Sequence, residues 1–314
     1  MENLEKIIVD DTESIRIDQY LSEYYEDISR SKLSKMIKDK AILVNGKSIK
    51  PSFIVSEDDL IEINLKYLEL KELEAENLDI EVIYEDEDIA IINKPFDIIS
   101  HPTNQIRTNT VVNFLLSRYS NLPSLYGHDR IGIVHRLDKD TSGLMIIALN
   151  ENSMLKLKDM FKNREIIKKY RAIVLGKMPE TEGTIEGYIS RSTRNRKLMM
   201  LSDTGKYSLT TYELKEYNEG FSYIELNLHT GRTHQIRVHL SSISHPILGD
   251  KDYNTSKSKF NVQRQLLQAF YLEFHHPITG EFMKFEIDPY PEFKKYYDLI
   301  FKGEKWKEES NQLT

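Results

Sequence analysis

Leu144-Met145-Ile146-Ile147-Ala148-Leu149 constrains this 314-residue chain more than any other stretch. Six apolar residues in a row, bounded on the N-terminal side by Thr141-Ser142-Gly143, predict a buried strand. A central strand of that kind is a rigid support. The turn feeding it, His135-Arg136-Leu137-Asp138-Lys139-Asp140, is dense in charge. Asp138 stands between Arg136 and Lys139, whose charges favour the ionised carboxylate. An anionic carboxylate on a rigid edge suits covalent or general-base chemistry. Asp138 and Asp140 equally suit capping the turn through bonds to backbone N–H groups. The residues alone leave both readings open.

Composition narrows the field by exclusion. No cysteine is present, which removes disulfides, Cys-ligated zinc and thiol catalysis. No apolar run approaches the roughly 18 residues of a membrane span. The opening Met1-Glu2-Asn3-Leu4-Glu5-Lys6 has neither a basic flank nor a long apolar core, so a cytoplasmic location is expected. Hydrophobic content of 39% with 30% charged residues fits a globular chain of one small and one large domain. The formal net charge of −7 argues against a nucleic-acid partner only if it is evenly spread, and it is not.

Residues 1–14 read as a lead-in with an edge strand near Lys6–Val9. Ile17, Tyr20 and Leu21 have helical spacing, and Ser29 or Ser31 is a good N-cap for a second helix running to about Asp39 over Leu33, Met36 and Ile37. A strand at Ile42–Val44, the turn Asn45-Gly46 and a returning strand near Ser52–Val55 follow. Between Ser29 and Lys50 there are seven cations (Arg30, Lys32, Lys35, Lys38, Lys40, Lys47, Lys50) against Asp39 alone, a net +6. Cations with so few counter-ions favour phosphate binding over an ordinary solvated helix face. From Glu57 to Asp88 the balance reverses, with 14 acids against Lys66 and Lys71, a net −12. That stretch alone outweighs the deficit of the whole chain. Its middle, about 66–78, reads as a flexible linker that lets two modest binding modules act together.

From Ile80 a larger domain is expected: strands at Val82–Tyr84 and Ile89–Ile92, the stop Asn93-Lys94-Pro95, His101-Pro102-Thr103, and a helix over Val111–Tyr119. After the Leu144 strand come an amphipathic helix at Asn150–Asn163 and a strand at Ile166–Val174 carrying Tyr170, a residue type usually found in cores there. Arg191, Arg194, Arg196 and Lys197 form a basic loop. His229, His234 and His239, five residues apart, lack metal-ligand spacing and a neighbouring carboxylate, so no metal is expected. Gly231 permits a tight turn beside the fixed charges of Arg232 and Arg237. The tail from about Lys302 reads as frayed.

His135-Arg136-Leu137-Asp138-x-x-Thr141-Ser142-Gly143 closely resembles the catalytic motif of the RluA/RluD family of RNA pseudouridine synthases. Lys168-x-Tyr170-x-Ala172 resembles the family's second motif, and Thr230-Gly231-Arg232-Thr233-His234-Gln235-Ile236-Arg237 its third. Arg16-Ile17-Asp18, Ser29-Arg30-Ser31, Met36-Ile37-Lys38 and Val44-Asn45-Gly46-Lys47 resemble an S4 RNA-binding domain. The chain departs from these patterns at Lys40, Asp97, Ser244 and Asn254, where glycines are usual. Ser100 stands where an apolar residue is usual, and Gln268 replaces a common histidine.

The resemblance implies an α+β fold, with a small S4-like module at 15–65, an acidic linker at 66–79 and a catalytic domain at 80–300. The catalytic domain should be built on a mixed, mainly antiparallel sheet with flanking helices, and residues 301–314 form a tail. It implies that uridines, with large-subunit ribosomal RNA the expected substrate, are isomerised with no cofactor by a monomer. Asp138 would be catalytic, Tyr170 would stack on the base, and Arg237 would pair with Asp138. RNA would be held by His135, Arg136, Leu137, Lys168, Arg232, Thr233, His234 and Gln235, and in the S4-like module by Arg16, Arg30, Ser31, Lys32, Lys35, Lys38, Asn45 and Lys47. Two rivals are a non-catalytic S4-type RNA-binding protein and an aspartyl-phosphate hydrolase using the Asp138-x-Asp140 pair.

Overall fold

The computed structural model describes residues 4–10, 15–25, 28–67, 73–103, 106–125, 128–195, 197–254 and 258–303. The tail beyond 303 and Arg196 of the basic loop lie outside them. The chain divides into two compact units, Met1–Lys94 with Ile98–Lys139 and Met145–Asn163, and Pro95–Asp97 with Asp140–Leu144 and Arg164–Thr314.

The first unit opens with β1 (Leu4–Ile8), β2 (Ile15–Arg16), α1 (Ile17–Tyr24) and α2 (Arg30–Lys38), then β3 (Ile42–Val44), β4 (Lys47–Ser48), β5 (Ile54–Val55) and β6 (Leu60–Asn64). The sheet order is β1-β6-β3-β4, so the expected lead-in is an integral strand paired along all of β6. Ile17, Leu21, Leu33, Ile37, Ile42, Ile61 and Ile63 form one buried core between helices and sheet. Ser29 caps α2 by accepting the Lys32 N–H. Asn45 and Gly46 both have positive φ (50° and 71°), the geometry of a tight hairpin whose returning strand begins at once. That strand is therefore Lys47–Ser48, not the expected Ser52–Val55; Val55 instead pairs with Ile15.

The same unit continues through β7 (Glu81–Glu85), β8 (Ile89–Lys94), α3 (Val111–Arg118), most of β9 (Ser142–Ala148) and α4 (Glu151–Lys162). Every residue of β9 is buried, as the apolar run required. Part of the expected linker, 68–72, lies outside the described residues. Its remainder is tied down: the Asn113 amide donates to Glu74 O at 2.7 Å, and Glu76 N–H donates to Asn113 O at 3.0 Å. The S4-like module also meets residues of the larger domain. Ile8 N–H donates to Leu125 O at 3.2 Å, Lys158 pairs with Asp10 at 2.7 Å, and the Arg130 guanidinium lies 4.6 Å from the Tyr24 ring centroid.

The second unit holds β10 (Ile167–Leu175), β11 (Glu182–Arg191), β12 (Met199–Ser202), β13 (Lys206–Asn218), β14 (Phe221–Leu228), α5 (Gln235–Ser242), β15 (Leu267–His275), β16 (Phe282–Glu286) and α6 (Pro291–Phe301). Its strands run in the order β12-β11-β13-β14-β10-β15, all antiparallel, with β16 on β15. The start of β9 joins β15 in parallel through Gln268↔Ser142 and Ala269↔Gly143, which makes the sheet mixed but mainly antiparallel. Helix α6 buries Phe293 and Ile300 against Phe221, Leu248 and Leu266. Among the described residues no helix is long and apolar enough to cross a membrane.

Candidate active site

Residues 135–139 of the charged turn belong to the first unit, where three side chains hold their backbone. His135 accepts the Ile146 N–H of β9 on Nε2 at 2.9 Å, so the ring proton sits on Nδ1, and Phe161 packs 4.8 Å from the ring centroid. Ser100 Oγ donates to Leu137 O at 2.7 Å and accepts Leu137 N–H at 3.0 Å. Lys94, fully buried, donates its ammonium to Ile98 O at 2.7 Å and Lys139 O at 3.1 Å. Asp138 thus lies between two residues whose backbones are anchored. It is half-buried, Arg136 is exposed, and Leu137 is buried. The sequence expectation assigned His135 and Leu137 to RNA. Leu137 is a core side chain, which corrects the expectation for that residue, whereas His135 is half-buried with Nε2 turned to the Ile146 N–H.

Residues 140–144 belong to the second unit. Thr141 Oγ1 accepts from Gln265 Nε2 at 2.8 Å. Gly143 has φ 125°, and a Cβ there would stand 2.0 Å from Ala269 O, so the parallel pairing with β15 tolerates only glycine.

Tyr170 is buried on β10 at a register shift between Lys169 and Tyr170 against β15. Such a bulge re-aims a side chain out of simple alternation. Lys168 is half-buried on the same strand, and burial lowers its ammonium to about 8. Arg237, on α5, is buried and forms a two-pronged pair with Asp250, through Nε at 2.7 Å and Nη2 at 2.8 Å. Nη2 also reaches Asp252 at 2.6 Å. His234 enters α5 with φ 56° and meets the Tyr253 hydroxyl through Nδ1 at 2.9 Å. Arg232 is half-buried with Nε donating to Tyr207 O at 3.0 Å, and Thr233 is half-buried beside it.

Gln235 departs from its expected RNA-binding role. It is buried, its Oε1 accepts from Thr230 Oγ1 and Arg232 N–H, and its Nε2 donates to Leu209 O and Thr210 Oγ1. With its amide bonded on both ends it fastens the third motif to β13 and has nothing left to offer RNA. Lys94, Ser100, Gln265 and Asp250 were not singled out as functional from the sequence. Of these, only Asp250 lay close to a motif already read as catalytic.

Four cationic residues of the S4-like module share one cleft, and others are exposed near it in sequence. Lys32, Lys38 and Lys47 are exposed, and Lys38, Lys40, Lys50 and Arg16 line an open cleft of about 590 Å³. Lys35 is exposed on the same helix. Arg16 and Arg30 both clasp the buried Asp18, at 3.0 and 2.9 Å, while remaining about half exposed. Burial pushes the Asp18 carboxyl up, but the bonds from Arg30 and Arg16 outweigh it and hold the group below its ordinary value. Ser31 is exposed with its Oγ 3.0 Å from Ser29 Oγ. Asn45 is exposed, and its amide braces the hairpin by donating to Asp59 and accepting Leu60 N–H.

Residues 88–242 match the family model described as RNA pseudouridylate synthase, and residues 15–61 match the S4 domain. The chain is 38% identical over 300 residues to an RNA pseudouridine synthase of Aquifex aeolicus, covering 92% of this chain and 94% of that one. It is 39% identical over 280 residues to Ribosomal large subunit pseudouridine synthase D of Escherichia coli (strain K12), covering 84% of each. Among solved structures, Human RNA Pseudouridylate Synthase Domain Containing 1 superposes with a TM-score of 0.56 at 27% identity, over 70% of this chain and 88% of that one. The motif turn, the sheet that supports it and a cationic S4 domain all fall within these matches, and the chain belongs to the RNA pseudouridine synthases of the RluA/RluD type.

Proposed function

We propose that this enzyme converts uridines of large-subunit ribosomal RNA to pseudouridine. The observation that carries the reading is the turn at Asp138, a carboxylate between anchored backbone segments. The RNA class is supported by the name of the Escherichia coli relative, an enzyme of the ribosomal large subunit. A stacked base is out of reach, so the target nucleotide is flipped out or already unpaired. Asp138 acts on that nucleotide. The N1–C1′ bond breaks, uracil turns over, C5 joins C1′, the proton on C5 leaves to solvent and N1 takes one up, so that the product is an isomer of the substrate. Tyr170 stacks on the uracil, Arg237 keeps Asp138 ionised, and Arg136 supports the extruded conformation. Lys168, Arg232, Thr233 and His234 contact the RNA near the reacting base.

The cations of residues 30–47 supply sequence-independent phosphate affinity, and Arg16 extends that surface. Functional boundaries at 15–65 and 80–300, a monomeric state and a cytoplasmic location complete the reading. The test is tritium release from [5-³H]uridine-labelled RNA. Release from unmodified large-subunit rRNA, with none from small-subunit rRNA or tRNA, is expected. Release from tRNA alone would overturn the substrate assignment.

A further inference from the structure

We propose that Ser100 is a positioning residue for the reaction, its hydroxyl setting the direction of the Asp138 carboxylate; this rests on the reading of Asp138 as catalytic. Ser100 is fully buried, and its one hydroxyl closes on both backbone groups of one residue. It donates to Leu137 O at 2.7 Å and accepts Leu137 N–H at 3.0 Å. In extended backbone the N–H and C=O of one residue point to the same side, the arrangement in which a single partner can meet both. In extended backbone successive side chains alternate, and here they do: Arg136 is exposed, Leu137 buried and Asp138 half-buried. The Ser100 bonds fix the peptide planes on either side of Leu137. The second of these planes leads directly into the Asp138 Cα.

Ser100 can impose this geometry because it is itself fixed. Its neighbour Ile99 bridges Thr110, and Val111 N–H donates to Ile99 O at 2.8 Å, at the capped start of α3. The single hydroxyl hydrogen is committed to Leu137, so Met145 Sδ, 3.8 Å away, acts as a packing neighbour. An apolar side chain here would leave two buried backbone groups of Leu137 without the partner they now have. A carboxylate displaced by about 1 Å is enough to cost on the order of a hundredfold in rate.

The test compares Ser100→Ala and the same-shaped pair Ser100→Thr and Ser100→Val. Single-turnover tritium release at saturating RNA, RNA dissociation constant and melting temperature are measured for each. Ala and Val are expected to slow release about 10- to 100-fold, with RNA affinity within about twofold of the parent, and Thr to restore most of the rate. A merely structural hydroxyl would lower melting temperature alone and leave the rate of folded enzyme intact, which overturns the proposal. If Ala does not fold, Thr against Val still decides, since both add the same bulk, and Val as fast as Thr also overturns it. Asp138→Asn is run alongside. If it keeps full release, the catalytic reading of Asp138 has failed; if it is inactive while Val matches Thr, only the role of Ser100 has failed.

Discussion

Lys40 and Ser244 show what single residues carry here. Both have left-handed backbone, φ 57° and 66°, and both sit one residue past a helix cap. Lys40 N–H bonds to Ile37 O at 3.1 Å and Ala41 N–H to Met36 O at 2.9 Å. Around Ser244 the same pair of bonds recurs, to Ser241 O at 3.0 Å and from His245 N–H to Leu240 O at 2.9 Å. This is the helix ending that glycine serves best. Asp97, a third position where the resemblance leads to an expectation of glycine, has φ 67°. At all three the backbone holds a conformation that suits glycine, at a cost in strain. Lys40→Gly is expected to raise unfolding stability by about 0.5–1 kcal/mol in urea titration, relief of strain exceeding the entropy cost of glycine. It should also weaken RNA binding slightly by removing a cation from the cleft. These turns were legible as glycine positions. The jobs of Ser100, Asn45 and Gln235 were not, because whether a polar side chain faces RNA or a buried backbone group is decided by partners far away in sequence.

At the level of elements, α5 is fastened to β13 by a buried polar network. Thr210 Oγ1 accepts from Gln235 Nε2 at 2.9 Å and lies 3.0 Å from His239 Nδ1; Ser208 Oγ donates to Gly187 O at 2.7 Å and lies 2.8 Å from His239 Nε2. With the Ser208 proton directed at Gly187, His239 donates from Nε2 and accepts on Nδ1, which is the neutral ring. Burial holds its pKa down at about 4, from 6.5. A histidine depressed in the folded state contributes stability that is complete above 6.5 and is lost as pH falls toward 4. Wild-type stability is expected to fall across pH 6.5 to 4 by up to about 3 kcal/mol more than that of His239→Gln, measured by urea unfolding at each pH. Parallel acid sensitivity in the two proteins would contradict this network. Long periodic segments such as α4 and β9 were readable in advance. The returning strand after Gly46 was not, since Lys47-Ser48 has no apolar alternation and owes its pairing to the turn alone.

Across the whole molecule, opposite charges are separated along the chain: a +6 segment at 29–50 is followed by a −12 segment at 57–88. The cationic segment folds into the S4-like module with its lysines largely exposed, so the acidic total does not oppose RNA binding. Within the stretch expected as a link between modules, Glu74 and Glu76 are hydrogen-bonded to Asn109 and Asn113. Composition showed the acidity but not these partners. Replacing Lys32, Lys35 and Lys38 together by Ala is expected to weaken binding to all RNAs alike. It should also reduce the slope of log affinity against log salt by about one for each phosphate no longer neutralised. An unchanged slope would mean that this surface does not face RNA.

The most direct measurement is single-turnover tritium release from [5-³H]uridine-labelled large-subunit rRNA by the wild type and by Asp138→Asn, with RNA binding followed on the same samples. Release by the wild type, abolished in the variant while RNA affinity is kept, is the expected result. Release that persists in Asp138→Asn would contradict the assignment of this turn as the catalytic centre.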